Sequence, residues 1–229
     1  MSESIGGRLA EVRKRVEAAA SRAGRSPDSV LVVAVSKTWP ADVCLDAIAA
    51  GAGTLGENRA QEFRGKYSVL KDRAVWHFVG QLQTNKVRHV VGAAALIHSV
   101  DRYGLAEAID KRARSMGVVQ DVLVEVNISA EPSKNGIEPG RAGGLVARIE
   151  PLAGVAVRGL MTMPPLTPHP GDSRPYFKDL AALRDLIAER HPQVVQLSMG
   201  MTRDFEVAIE EGATIVRIGE AIFGPRRSA

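Results

Sequence analysis

Eight short apolar runs recur along the chain, with polar residues and glycines gathered where they stop. They fall at about 30–36 (VLVVAVS), 54–58 (TLGEN), 75–81 (VWHFVGQ), 96–100 (LIHSV), 122–127 (VLVEVN), 157–163 (VRGLMTM), 195–200 (VQLSMG) and 213–219 (ATIVRIG). Runs that are apolar on both faces suit strands covered on both sides. Between them lie stretches with helical periodicity, at 40–50, 103–116 and 176–190, and shorter ones near 85–91 and 204–211. A leading amphipathic helix is expected over about 4–23. Strand–helix alternation predicts parallel βα units, and eight of them predict one (β/α)8 TIM barrel over residues 1–229, with the extra N-terminal helix covering part of it. An open doubly wound sheet is the alternative. The proline-rich stretch 163–175 (MPPLTPHPGDSRP) reads as one long βα loop.

Barrel chemistry sits at the C-terminal ends of the strands. Lys37, Glu57, Asn58, Gln81, Ser99, Asn127, Met163, the SMGMT stretch at 198–202 and the GEAIFG stretch at 219–224 all fall there. Lys37 ends a fully apolar strand. In a barrel mouth its amine is partly desolvated, which favours the neutral form that attacks carbonyls. It could equally snorkel to solvent or pair with Glu57. The loops after the last two strands offer hydroxyls, glycines and free backbone N–H groups, a setting that attracts phosphate. Closure brings those loops beside Lys37. A reactive amine next to a phosphate cradle is what pyridoxal 5′-phosphate requires.

Composition narrows the class. Cys44 is the only cysteine, so a cytoplasmic protein without internal disulfides is expected. No apolar stretch is long enough for a membrane span, and no membrane partner is expected. The net charge is +4 with aromatics at 4%, which gives no case for nucleic acid. The five histidines (77, 89, 98, 169 and 191) show neither HxH nor HExxH spacing, so no metal site is expected.

Several segments, in order, resemble the pyridoxal phosphate homeostasis protein family of the YggS/PROSC type. They are VVAVSKT, GENRAQE, WHFVGQLQTNKVR, HSVDR, VNISAEPSKNGI, GLMTM, SMGMTRDFEVAI and VRIGEAIFG. That family is similar to the N-terminal barrel of alanine racemase, a fold-type III arrangement. The resemblance implies that Lys37 carries the cofactor as a Schiff base. It implies that Ser198, Gly200, Gly219 and the backbone N–H of Glu220 hold the phosphate. Asn58 and Met163 would lie near the ring, and Arg217 would face the pyridine nitrogen. It implies a role in vitamin B6 homeostasis, with apo forms of pyridoxal phosphate enzymes as recipients, and a monomer rather than a dimer. Two positions depart from the family pattern: Glu220 replaces the usual Ser or Thr, and Arg59 stands where tyrosine is common.

Other residues have plainer expectations. His77 and Trp76 read as core, Cys44 as buried packing, and Thr84 and Asn85 as helix caps. Ser133 and Lys134 read as a solvated turn, with Lys134 as a candidate second attachment point. Three classes stay open: a non-catalytic cofactor carrier, a pyridoxal phosphate-dependent racemase or decarboxylase, and a phosphate-binding barrel that uses Lys37 in aldolase fashion. The absence of a tyrosine at a strand end argues against a racemase, as does the chain's length.

Overall fold

The computed structural model describes residues 4–131 and 134–225, so Ser133 lies outside the described residues. Eight parallel strands form a closed barrel in chain order. They are β1 (Leu31–Val35), β2 (Thr54–Glu57), β3 (Val75–Phe78), β4 (Leu96–Val100), β5 (Gln120–Glu125), β6 (Val155–Met161), β7 (Gln196–Ser198) and β8 (Ile215–Ile218). β8 pairs with β1 from Leu31–Ile215 to Ala34–Ile218, so the sheet has no open edge and is not doubly wound.

The helices are α1 (Ile5–Arg22), α2 (Ala41–Ala49), α3 (Ala60–Leu70), α4 (Tyr103–Ser115), α5 (Pro139–Ile149), α6 (Arg174–Ala188), α7 (Phe205–Glu210) and α8 (Glu220–Phe223). α1 is the extra element. Ser4 caps it by accepting from the Gly7 N–H at 3.1 Å. Its apolar stripe of Leu9, Val12, Val16, Ala19 and Ala20 is buried, and Arg8 ties it to α8 through the Ile222 and Phe223 carbonyls. No described helix is long and apolar enough to cross a membrane.

Two local expectations are corrected. The segment after β3 is a 3-10 helix over Thr84–His89, capped by Gln83 without a side-chain bond. Thr84 and Asn85 therefore do not cap an α-helix there, and the Thr84 hydroxyl accepts from Arg102 instead. β5 and β6 begin and end two residues before their apolar patterns predict. Gln120 opens β5 although polar, because its amide is satisfied by the Ala94 carbonyl at 2.9 Å and the Gly92 N–H at 3.1 Å. Val126 and Asn127 have left the ladder, and Val126 bridges to Ile137.

Alternation along the strands splits the core in two. The larger cluster lies between barrel and helices. The smaller one, Val33, Val35, Val79, Leu96, Leu123, Met161 and Ile215, is distinct from it. A buried polar chain accompanies this inner cluster: His77 Nδ1 lies 3.0 Å from His98 Nε2, and His98 Nδ1 lies 2.8 Å from Ser198 Oγ. Arg217 donates to Ser198 Oγ at 2.6 Å and to the Thr162 carbonyl at 2.9 Å. Burial lowers the His77 pKa to about 4 and drives His98 well down, so both rings are neutral near pH 7. Trp76 packs edge-on to Phe63 at 5.8 Å, the core role expected of it.

Candidate functional site

A cavity of about 960 Å³ opens at the C-terminal ends of the strands, at the upper end of the roughly 300–1,000 Å³ typical of small-molecule sites. Lys37, Asn58, Met163, Arg217, Gly219 and Glu220 all line it. Six of the eight expected site residues therefore meet at one cavity, although they are spread over more than 180 positions of sequence.

Lys37 sits in a tight turn just beyond β1. The Trp39 N–H closes the turn on the Ser36 carbonyl at 3.0 Å. Asn58 stands at the tip of neighbouring β2. Its side-chain Oδ1 is buried without a hydrogen-bond partner, an acceptor left for a ligand donor. Gly80 lets the β3 loop press on this tip: a Cβ there would sit 2.1 Å from the Asn58 carbonyl oxygen. Arg59 follows as the N-cap of α3 and reaches the cavity rim, with Glu62 3.5 Å away.

Ser198 and Gly200 do not line the cavity. Ser198 is the last residue of β7 and fully buried, with His98 and Arg217 on its hydroxyl. Gly200 turns the chain at φ +89°, and a Cβ there would meet Ala208 at 2.5 Å. The turn carries Thr202 onto the cavity wall. The Thr202 hydroxyl also accepts from the Ala221 N–H at 3.4 Å, joining the loops after β7 and β8. Gly219 lies where a Cβ would come within 3.2 Å of the Val35 carbonyl. Both hydroxyls of SMGMT were visible in sequence, but only the turn decides which one faces the cavity.

The floor is cationic. Burial lowers the Arg217 guanidinium to about 10, against the opposing pull of Glu125 and Asp204, so it stays charged at neutral pH. Glu125 is buried and shares the strand face of Leu123. Burial, reinforced by Asp101 and eased by Arg217, pushes its carboxyl up to about 7.

The remaining expectations fall as follows. Glu57 receives its short contact from Lys66, 2.5 Å away, a partner the sequence did not suggest. Lys134 is outside the cavity lining, and its ammonium donates to the Met163 carbonyl at 3.4 Å. Asn127 closes its own loop on the Glu131 and Lys134 carbonyls. Cys44 is buried. Tyr67, Tyr103 and Tyr176 lie in α3, α4 and α6, and none lines the cavity. Among the described residues no group of three His, Cys, Asp or Glu could hold a metal.

The family model described as alanine racemase, N-terminal domain, matches residues 8–227. A protein of Aquifex aeolicus named pyridoxal phosphate homeostasis protein is 49% identical over 222 residues, covering 96% of this chain and 97% of its own. One of the same name from Vibrio cholerae is 39% identical over 229 residues, covering 97% of each. Among solved structures, PipY of Synechococcus elongatus with PLP bound superposes with a TM-score of 0.84 at 33% identity, covering 96% of this chain and all of that one.

Proposed function

This chain belongs to the pyridoxal phosphate homeostasis protein family, within the alanine racemase N-terminal domain family, and from that premise we propose that it binds pyridoxal 5′-phosphate at Lys37 and hands it on. The observation that carries the reading is Lys37 on the wall of one cavity shared with Thr202, Gly219 and Arg217. The residues fit the group: an amine at a strand tip, an unpartnered buried Asn58 Oδ1, a hydroxyl from Thr202, and a close-packed glycine beside β1.

Bound pyridoxal phosphate supplies an aldehyde that exchanges reversibly between amines. Lys37 holds that aldehyde covalently. Thr202 and the backbone N–H groups of the loop after β8 hold the phosphate, in place of Ser198. Glu220 serves through its backbone, since a carboxylate repels a phosphate. Asn58 and Met163 flank the ring. Arg217 only donates and stays charged, so it keeps a facing ring nitrogen unprotonated.

The protein acts in vitamin B6 homeostasis as a carrier, with apo pyridoxal phosphate enzymes as recipients. Two features support a non-catalytic role. Arg217 denies the ring nitrogen the proton that would make it a strong electron sink, and no tyrosine lines the cavity to serve with Lys37 as a second base. In this reading the chain works as one barrel unit, in the cytoplasm, as its lone cysteine favours, and as a monomer. Absorption spectroscopy with borohydride reduction tests the binding: an adduct mapped to Lys37 is expected. Deuterium exchange at the α-carbon of amino acids tests the carrier role. Exchange at roughly 1 s⁻¹ or faster, the low end of enzyme turnover, overturns it in favour of a racemase.

A further inference from the structure

The turn that carries Lys37 is strained. Thr38, a β-branched residue, has φ +70°, where such side chains are genuine outliers. Backbone of this kind persists only where its surroundings over-determine it. Here the surroundings are two side chains of α3 set one helical turn apart. Glu62 Oε2 accepts from the Thr38 N–H at 2.9 Å. Lys66 Nζ donates to the Ser36 carbonyl at 2.7 Å and to Glu57 Oε1 at 2.5 Å. Ser36 Oγ donates to the same Glu57 oxygen at 2.6 Å. The residues before and after Lys37 are thus both fastened to one helix. Phe63, on the same helix, anchors it on β3 through edge contacts with Trp76 and Phe78.

The Glu57–Lys66 pair is costly. Glu57 is fully buried and Lys66 is 8% exposed. A buried ion pair is often no more stabilising than apolar residues of the same volume, so its retention calls for another role, such as fixing one local geometry. Burial raises the Glu57 carboxyl, and Lys66 together with the Ser36 hydroxyl pulls it back toward the charged form. The carboxylate is bound from β1 and from α3, so it couples the tips of β1 and β2, where Lys37 and Asn58 begin.

We propose that Glu62 and Lys66 are positioning residues: through Thr38, Ser36 and Glu57 they hold the Lys37 turn in the strained form that presents its amine to the cavity. Neither needs to touch the cofactor. The inference rests on the reading that pyridoxal phosphate attaches at Lys37.

The test measures the rate of attachment of pyridoxal 5′-phosphate by absorbance, from pH 6 to 10, in Glu62→Ala, Lys66→Met and Lys66→Arg proteins. Borohydride reduction and mass mapping locate the adduct, and thermal unfolding of the cofactor-free proteins monitors the fold. Misplacing a reacting group by about 1 Å costs up to roughly a hundredfold in rate, so Glu62→Ala is expected to slow attachment at least tenfold with the unfolding midpoint nearly unchanged. Lys66→Met leaves Glu57 unpaired beside the turn. Without that counter-charge burial favours the protonated Glu57 carboxyl, so its ionisation adds a step to the pH profile of attachment, an effect that a purely structural role does not produce. Lys66→Arg is expected to restore the profile in part. If Lys66→Met fails to fold, Glu62→Ala decides alone. Wild-type rate and profile in the folded variants overturn the positioning role. A wild-type protein with no adduct at Lys37 overturns the attachment reading itself, and the positioning role with it.

Discussion

The β1–β2 side of the cavity mouth rests on buried charge, whereas the β7–β8 side rests on glycine and hydroxyl groups. Lys37 and Asn58 are backed by the Glu57–Lys66 pair and a strained threonine. Thr202 and Gly219 are backed by a left-handed glycine and one hydroxyl-to-amide bond. A covalent partner must be met by one atom at one angle, and strain with buried charge fixes a single geometry at a cost in stability. An anion asks only for several donors within reach, which backbone and hydroxyl groups supply cheaply.

Lys37→Ala is expected to do the most damage. It abolishes the borohydride-fixed adduct and leaves the unfolding transition in place, because the side chain lies on the cavity wall. A full-strength adduct in this variant would move the attachment point elsewhere, with Lys134 the next lysine to map by mass.

The second prediction separates the roles of two hydroxyls on the other side. Thr202→Ala should weaken retention of pyridoxal phosphate by about 1–2 kcal/mol, one hydrogen bond to a charged group, while leaving pyridoxal without its phosphate unaffected. Ser198→Ala should instead lower folding stability by about 1–3 kcal/mol, since His98 and Arg217 lose a buried partner. Equilibrium dialysis and urea unfolding read the two. A reversed pattern would return the phosphate to Ser198.

Glu125 tests the floor between the two sides. Its carboxyl is pushed up to about 7 in the fold, against about 4.3 in an unfolded chain. Between those values the folded protein binds a proton that the unfolded chain has released, so this group makes stability fall as pH rises. His77, lowered to about 4, has the opposite sign: its contribution is present above about 6.5 and is lost as pH falls toward 4. The two slopes oppose each other in wild type. Glu125→Gln should add on the order of 2–3 kcal/mol at pH 8, little near pH 4.5, and leave stability rising with pH in between. Urea titrations that give parallel pH profiles for the two proteins would rule this out.

The smallest effect is expected at Thr38→Gly. Glycine accepts φ +70° without steric cost but enters with a more flexible unfolded chain. The net gain in cofactor-free stability should be about 1 kcal/mol or less. Calorimetry reads the stability, and a clear loss would show that Thr38 is not strained.

Much of this was legible. The Leu31–Val35 run stops at Lys37, the Gly219–Glu220 step follows β8, and both patterns reached the cavity as expected. The family resemblance implies Ser198 for the phosphate. Inward-facing strand residues continue below the mouth, however, and the left-handed turn at Gly200 passes the exposed hydroxyl to Thr202. Lys66 shares a helix face with Phe63 and Leu70, three residues before and four after it, so its spacing turns it toward the core. What that spacing leaves open is its partner, Glu57, nine positions back at the end of β2.

The sequence by itself determined the eight strands, the parallel barrel and the lysine at the tip of the first strand, because strand identity follows from local runs of apolar residues and their endings. Tertiary structure alone decided which hydroxyl faces the cavity and which lysine neutralises Glu57. It also decided that two histidines stay neutral and that Glu125 titrates near pH 7. Those outcomes depend on enclosure: desolvation and pairing exist only after barrel closure brings residues from distant strands into one dry interior.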